Sequence, residues 1–521
     1  MCNLRPTCFL LIHAFLVSWL AGEIRTPAII GNHMVLQQNH PNPIWGWDLP
    51  EQSIEVTISG QNHKTVANSQ GYWRVALRPM KASNSPQEMI IQGSSQIKYQ
   101  NILIGEVWLC SGQSNMGWSL GQADDKDLES MSAKFPNLRL ISVPQVGTQD
   151  PQNDFNGKWE ETTPESAINF SAVGYLFGRR LHQILDVPIG LIDNAWGGSA
   201  CEAWIPRDRL NQLAVAKPYL ETWRKTEAEF DFEKLQVAYE KNMKAWKAKA
   251  SIRKEGIALK RKPRAPRNQL TGQRRPANLY NGMLTPIIGY GIKGAIWYQG
   301  ESNTGRGHAY REVFPLMIQS WRDAWQQGDF SFYWVQLADY MNEAPEPSTE
   351  QTWPELREAQ TFTLNKLKNV GEAVIIDVGE GRNVHPRNKQ IVANRLVRSA
   401  LAKDYGREIP HQSPRYQSME IKGNKIILTF DHVGEGLYCF DIPEAKGFAI
   451  CGEDQDFVWA KAKLLGRGKV EVWAQSIKKP IAVRYGWADN PVCNLYRRDG
   501  SVTLPMTPFR TDDFAMITFG Q

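Results

Sequence analysis

Four short polar clusters carry residue types that together suit acyl transfer. Ser114 lies in GQSN (112–115), Gly197 and Gly198 in NAWGGS (194–199), Asn303 in QGESN (299–303) and His385 in GEGRNVHPRNK (379–389). A serine hydroxyl becomes nucleophilic when a neighbouring base takes its proton, and His385, in a Pro-bounded loop ahead of a helical pattern, can be that base. A Gly-Gly turn can aim backbone N–H groups at a developing oxyanion. The side-chain amide of Asn303 is a further donor for the same charge. Singly, each feature has a plain structural reading: Gly-Gly is a turn, Asn ties a loop, and a lone His is a surface residue.

Their position relative to the predicted strands joins them. EVWLC (106–110), VPIGLID (187–193), IKGAIWY (292–298) and EAVIID (372–377) are apolar runs of strand length, and each of the four clusters follows one of them. FSFYWVQLA (330–338) is a fifth such run. Helical periodicity fills the intervals at 173–185, 310–325 and 388–406. Near-continuous apolar strands alternating with amphipathic helices predict a parallel sheet covered on both faces. Ligands of such sheets bind beyond the carboxyl ends of the strands, so the four clusters are expected to converge on one edge.

The remaining chain divides around this unit. Residues 1–22 read as a signal peptide: Arg5, an apolar run at 8–20, then Ala21 and Gly22. That run is short for a membrane span, and an exported protein, secreted or periplasmic, is expected. Residues 23–103 alternate as short strands and turns and predict an N-terminal β domain. The α/β domain is expected at 104–408, interrupted at about 210–275 by a charged helical insertion, and 409–521 returns to strand patterns. Between positions 241 and 275 stand thirteen Lys and Arg, which read as a solvated arm because no base-reading motif accompanies them; no nucleic-acid partner is expected. Beyond the leader, Cys110, Cys201, Cys439, Cys451 and Cys493 form no CxxC or Cys/His cluster with zinc spacing, so no metal is expected.

The blocks GEVWLCSGQSNM, NAWGGSACEAW, GAIWYQGESN and VHPRNKQ resemble those of the sialate O-acetylesterase family, within the SGNH hydrolase group. LYNGMLTPII (279–288), WPELREAQ (353–360) and VRYGWADNPVCNLY (483–496) extend the resemblance over nearly all of the mature chain. It implies a three-layer α/β esterase domain with accessory β structure, no cofactor, and an O-acetylated glycan or sialic acid as substrate. By position it implies Ser114 as nucleophile and His385 as base. Gly198 or Gly197, Asn303 and the Ser114 N–H match the oxyanion blocks. One departure stands out: the family carries Asp where this chain has Asn383. An Asp orients the His and stabilises its cation, whereas Asn383 can orient but brings no charge. A dyad held by a backbone carbonyl, a charge from Asp377 or Glu380, and a slower or altered enzyme are the open accounts. With the charge restored, Asn383→Asp is expected to turn over faster.

For substrate contacts, Gln113, Trp196, Glu301 and Arg382 are the candidates, with Arg387 and Arg357 as further cations for a sialate carboxylate. The same apparatus would serve an acetylated xylan, or survive in a weakened carbohydrate-binding protein.

Overall fold

The computed structural model describes residues 23–251, 261–347, 350–500 and 502–520; the expected signal peptide at 1–22 lies outside them. Its central element is one long strand, Gln96–Gly112. The first part of this strand alternates between exposed and half-buried residues, and everything from Ile102 to Gly112 is buried. The change in pattern follows the change in partners. Residues 96–104 pair antiparallel with Ser83–Gln92, and Leu103 to Gly105 pair parallel with Val35–Gln37. From Glu106 onward the strand lies between Ile189–Ala195 and Gly294–Tyr298, parallel to both. A strand covered on both faces reads as a continuous apolar run, and one with a solvated face alternates. The boundary expected after residue 103 therefore falls inside a continuous strand.

The parallel part runs in the order Val370–Ala373, Ser331–Val335, Gly294–Tyr298, Gln96–Gly112, Ile189–Ala195, Phe135–Ser142, with Glu160–Thr162 antiparallel at the edge. Phe135–Ser142 and the helix Trp353–Phe362 are elements that the periodicity did not single out. Alternate side chains of the central strand face two cores. Val107 and Leu109 pack with helix Gly307–Trp325 (Phe314, Trp321) and with Leu356 of Trp353–Phe362. Trp108 and Cys110 pack with Ala172–Leu185 and Lys389–Lys403. The sheet thus carries helices on both faces. Trp73, Trp108, Trp159, Trp204, Trp297, Trp321 and Trp334 are fully buried, so much of the tryptophan content serves packing rather than sugar contact.

The insertion forms helices Lys217–Glu229 and Phe232–Ser251, the second with no buried residue. The C-terminal part contains two four-stranded sheets and a three-stranded one around a third core. It is fastened to the α/β part by Arg357, whose buried guanidinium donates to the carbonyls of Leu337, Ala338, Ala488 and Asp489. Arg357 is thereby removed from the substrate candidates. All five described cysteines are free thiols. No described helix is long and apolar enough to cross a membrane.

Gly112 closes the central strand at φ +141°, and a Cβ placed there would sit 2.2 Å from the Tyr298 carbonyl oxygen. Both the conformation and the space demand glycine. Gly112→Ala is expected to destabilise the fold by about 1–3 kcal/mol or more, read as a lowered thermal midpoint.

Candidate active site

Because the six strands are parallel, the four clusters emerge on the same edge. The chain leaves Gly112, and Met116 and Gly117 both donate backbone N–H groups to the Gln113 carbonyl, at 3.0 Å each. This tight turn presents Ser114, half-buried, at the strand end. Neighbouring strand ends fasten the turn: Gln113 N–H donates to Tyr298 O at 2.9 Å, and Trp196 N–H to Gly112 O at 3.1 Å.

His385 Nε2 lies 2.8 Å from Ser114 Oγ, across 271 residues of chain. The loop that carries the histidine is ordered by its own side chains. Asn383 Oδ1 accepts from His385 N–H at 3.1 Å, and its Nδ2 donates to His385 O at 2.8 Å. Asn383 therefore holds the histidine by its backbone, not by its ring, and both ends of its amide are engaged there. The faster turnover expected of Asn383→Asp loses its footing, because a carboxylate at this spot would face the His385 carbonyl. The two alternative charges are also committed elsewhere. Asp377 takes Arg395 through both oxygens, at 2.6 and 2.7 Å, and Glu380 takes the N–H and Nε of Arg387. Among the described residues no hydrogen bond reaches His385 Nδ1. The ring is instead stacked on Trp118, with centroids 4.6 Å apart and planes 17° apart, and Trp118 is itself held by Nε1–H to Gln122 O at 2.9 Å.

Asn115, next to the serine, ties the site together from below. Its Nδ2 donates to Glu301 Oε1 at 2.6 Å and to Val384 O at 3.0 Å, and its Oδ1 accepts from Lys389 Nζ at 2.6 Å. Glu301 is thus turned inward, its buried Oε2 without a hydrogen-bond partner among the described residues, and anchors the serine turn rather than reaching for a sugar. Gln113 is buried as well and accepts from Ser302 N–H at 3.4 Å, which links two loops and takes it out of the substrate-facing set. Burial pushes the Glu301 carboxyl up and the Lys389 ammonium down to about 7. Burial first, and then the Lys389 charge, hold the His385 ring below its ordinary value. Neither Asn115 nor Lys389 stood out by spacing alone. Lys389 did leave a signal, since it falls on the inward face of its helix with Ala393, Leu396 and Ala400.

The expected oxyanion donors separate. Residues 196–199 form a turn closed by Ser199 N–H to Trp196 O at 3.2 Å, with Gly198 at φ +74°, the type II pattern that favours glycine at its third position. Gly197 lies directly against the serine: a Cβ on it would be 3.2 Å from Ser114 Cβ. Among the described residues no hydrogen bond uses the N–H of Ser114 or of Gly198. Asn303 is different. Its Nδ2 donates to Glu202 Oε2 at 2.9 Å, and its Oδ1 accepts from Cys201 N–H and Gln299 Nε2. It is buried with one amide N–H on Glu202, while the backbone N–H groups of Ser114, Gly197 and Gly198 make no hydrogen bond among the described residues. Trp196 is half-buried and packed against the core, while Arg382 is exposed in the histidine loop.

Comparisons with known proteins point to carbohydrate esterases. A family model described as carbohydrate esterase, sialic acid-specific acetylesterase, matches residues 270–392. The chain is 30% identical over 541 residues to a sialate O-acetylesterase of Mus musculus, covering 95% of each chain. It is 28% identical over 536 residues to a sialate O-acetylesterase of Homo sapiens, covering 93% of this chain and 92% of that one. A solved carbohydrate acetylesterase from Xanthomonas citri superposes with a TM-score of 0.78 at 33% identity, over 94% of this chain and 100% of that one.

The electrostatics generate a direct test. Burial pushes the Lys389 ammonium down to about 7, and its charge in turn helps hold the His385 ring below the ordinary value. In Lys389→Met that repulsion is gone while burial remains, so the His385 midpoint rises toward 6.5. Titration of the imidazole ring protons by NMR reads it; a fall would show that Lys389 acts with the opposite sign.

Proposed function

The chain belongs to the sialate O-acetylesterase family and is a carboxylic ester hydrolase, and from that premise we propose that Ser114 and His385 remove O-acetyl groups from carbohydrate, O-acetylated sialic acid first, through an acetyl-enzyme intermediate. The observation that carries this reading is the 2.8 Å contact between Ser114 Oγ and His385 Nε2 at the carboxyl edge of the sheet.

In the proposed reaction His385 accepts the Ser114 proton as Oγ attacks the acetyl carbonyl. The oxygen that gains charge is received by the free N–H groups of Ser114 and Gly198, preorganised by the strand end and by the turn. The C–O bond to the sugar breaks, and His385 returns its proton to the departing sugar oxygen. Water then repeats the sequence on the acetyl-serine and releases acetate. The lowered pKa of His385 keeps the ring neutral, and hence basic, at neutral pH. Activity is thus present above the His385 midpoint and lost as pH falls through it. With no hydrogen bond on Nδ1 among the described residues, we treat the pair as a dyad: Trp118 fixes the ring plane and Asn383 fixes the loop.

Sialic acid is favoured over a neutral polysaccharide by Arg382, an exposed cation three residues before His385 that makes no ion pair among the described residues. A guanidinium there can receive the substrate carboxylate. Export, proposed from the pattern of residues 1–22, would place the enzyme where extracellular glycans occur.

Acetate release from a panel of acetylated sialic acids and acetylated xylan is the deciding assay. The expected result is release from the sialic acids, lowered at least about 10³-fold in Ser114→Ala, with Ser114 labelled by a serine-directed phosphonate. Glycan binding without labelling or release would instead support a carbohydrate-binding protein.

A further inference from the structure

The insertion at about 210–275 has no role in the reaction as written above, yet its returning end reaches the catalytic edge. Gln273 Nε2 donates to Gly197 O at 3.2 Å, and Arg274 Nε donates to Gly198 O at 3.2 Å. Both glycine carbonyls of the turn at 196–199 are thus held by two consecutive residues from the insertion. The contact runs in both directions, since Ala200 N–H donates to Gln273 O at 3.4 Å. These two residues are in turn pinned to the root of the arm. The Tyr219 hydroxyl, from helix Lys217–Glu229, donates to Arg274 O, and Arg275 Nε donates to Glu227 Oε1 at 2.9 Å on the same helix.

The geometry has a chemical consequence. In a trans peptide the C=O and N–H point in opposite directions. The peptide joining Gly197 to Gly198 has its carbonyl on Gln273, so its N–H is directed to the opposite side. That N–H is the free Gly198 donor, on a turn whose neighbouring residue touches Ser114. A two-glycine turn has little stiffness of its own, because glycine populates several backbone wells. Without an external hold the peptide can rotate and withdraw the donor.

We propose that Gln273 is a positioning residue for the oxyanion hole, and that the root of the inserted arm is therefore part of the acetyl-transfer apparatus. The inference rests on the serine-esterase reading above and adds to it a residue that acts through the Gly197 carbonyl. Arg274, on the second carbonyl, limits the rotation of the next peptide.

The test compares Gln273→Glu, which keeps the size but replaces the donor with a carboxylate, and Gln273→Met, which keeps the bulk without a polar end. On an acetyl ester both are expected to lower kcat about 10- to 100-fold, somewhat less than direct loss of an oxyanion donor. KM should stay within about twofold, and phosphonylation of Ser114 should slow in step with kcat, because both reactions pass through an oxyanion-like state. Unchanged kcat in both variants overturns the inference. So does a rise in KM with kcat retained, which would make Gln273 a substrate contact. If one variant fails to fold, the other decides. Ser114→Ala run in parallel separates the two readings. Full turnover in Ser114→Ala removes the serine mechanism itself, whereas loss there with unimpaired Gln273 variants overturns the positioning role alone.

Discussion

The active edge depends on how closely two backbones approach at Gly112. There the central strand meets the end of its neighbour at a separation that leaves no room for a Cβ beside the Tyr298 carbonyl. That contact lets Gln113 N–H reach Tyr298 O and Trp196 N–H reach Gly112 O. Three strand ends are joined within a few residues of the serine, and the loops carrying the Gly-Gly turn and QGESN start from them. The serine turn is narrow because its root cannot spread.

A second layer of order lies beneath this junction and is polar. Asn115 links the serine turn, the histidine loop, Glu301 and Lys389 through one amide. Burial pulls both charged partners toward neutrality, so the amide bridges two groups that each lean away from their ionised form. The histidine above them sits in an environment that disfavours its cation. A carboxylate on the ring would have the opposite effect, and the side chain two residues before it, Asn383, spends its amide on the main chain instead. The surroundings of His385 thus favour its neutral ring over its cation.

The convergence of Ser114, Gly198 and His385 was readable in the sequence because it follows from period and order. Apolar runs of strand length, helices between them and polar clusters just beyond the strands leave one edge for the chemistry. Side-chain partners were less legible. Spacing placed Asn383 two residues from His385 but could not say that it would take the backbone rather than the ring. Glu301 and Gln113 looked like contacts for a sugar because they are polar and adjacent to the motif, and both turned inward to satisfy buried groups. Asn303, read as an oxyanion donor, is likewise tied to a distant residue, Glu202. Arg357 looked like a free cation and is a fastener between distant segments. In each case the deciding fact is a partner more than a hundred residues away or a carbonyl left open by an irregular loop, and neither leaves a mark on local periodicity. The boundary expected after residue 103 missed for a related reason. A change from alternating to continuous apolar character looks like a change of domain, and here it is a change of neighbours along one strand.

That shared strand makes the amino-terminal sheet a poor candidate for an autonomous module. Cutting the chain near residue 103 would sever the strand whose far end leads into Ser114, and would leave Ser83–Gln92 and Val35–Gln37 without their mate. Loss of order in either sheet propagates along a continuous backbone into the other. The two halves are therefore built to melt as one cooperative unit, and recombination that swaps one for a foreign counterpart must preserve the register of both.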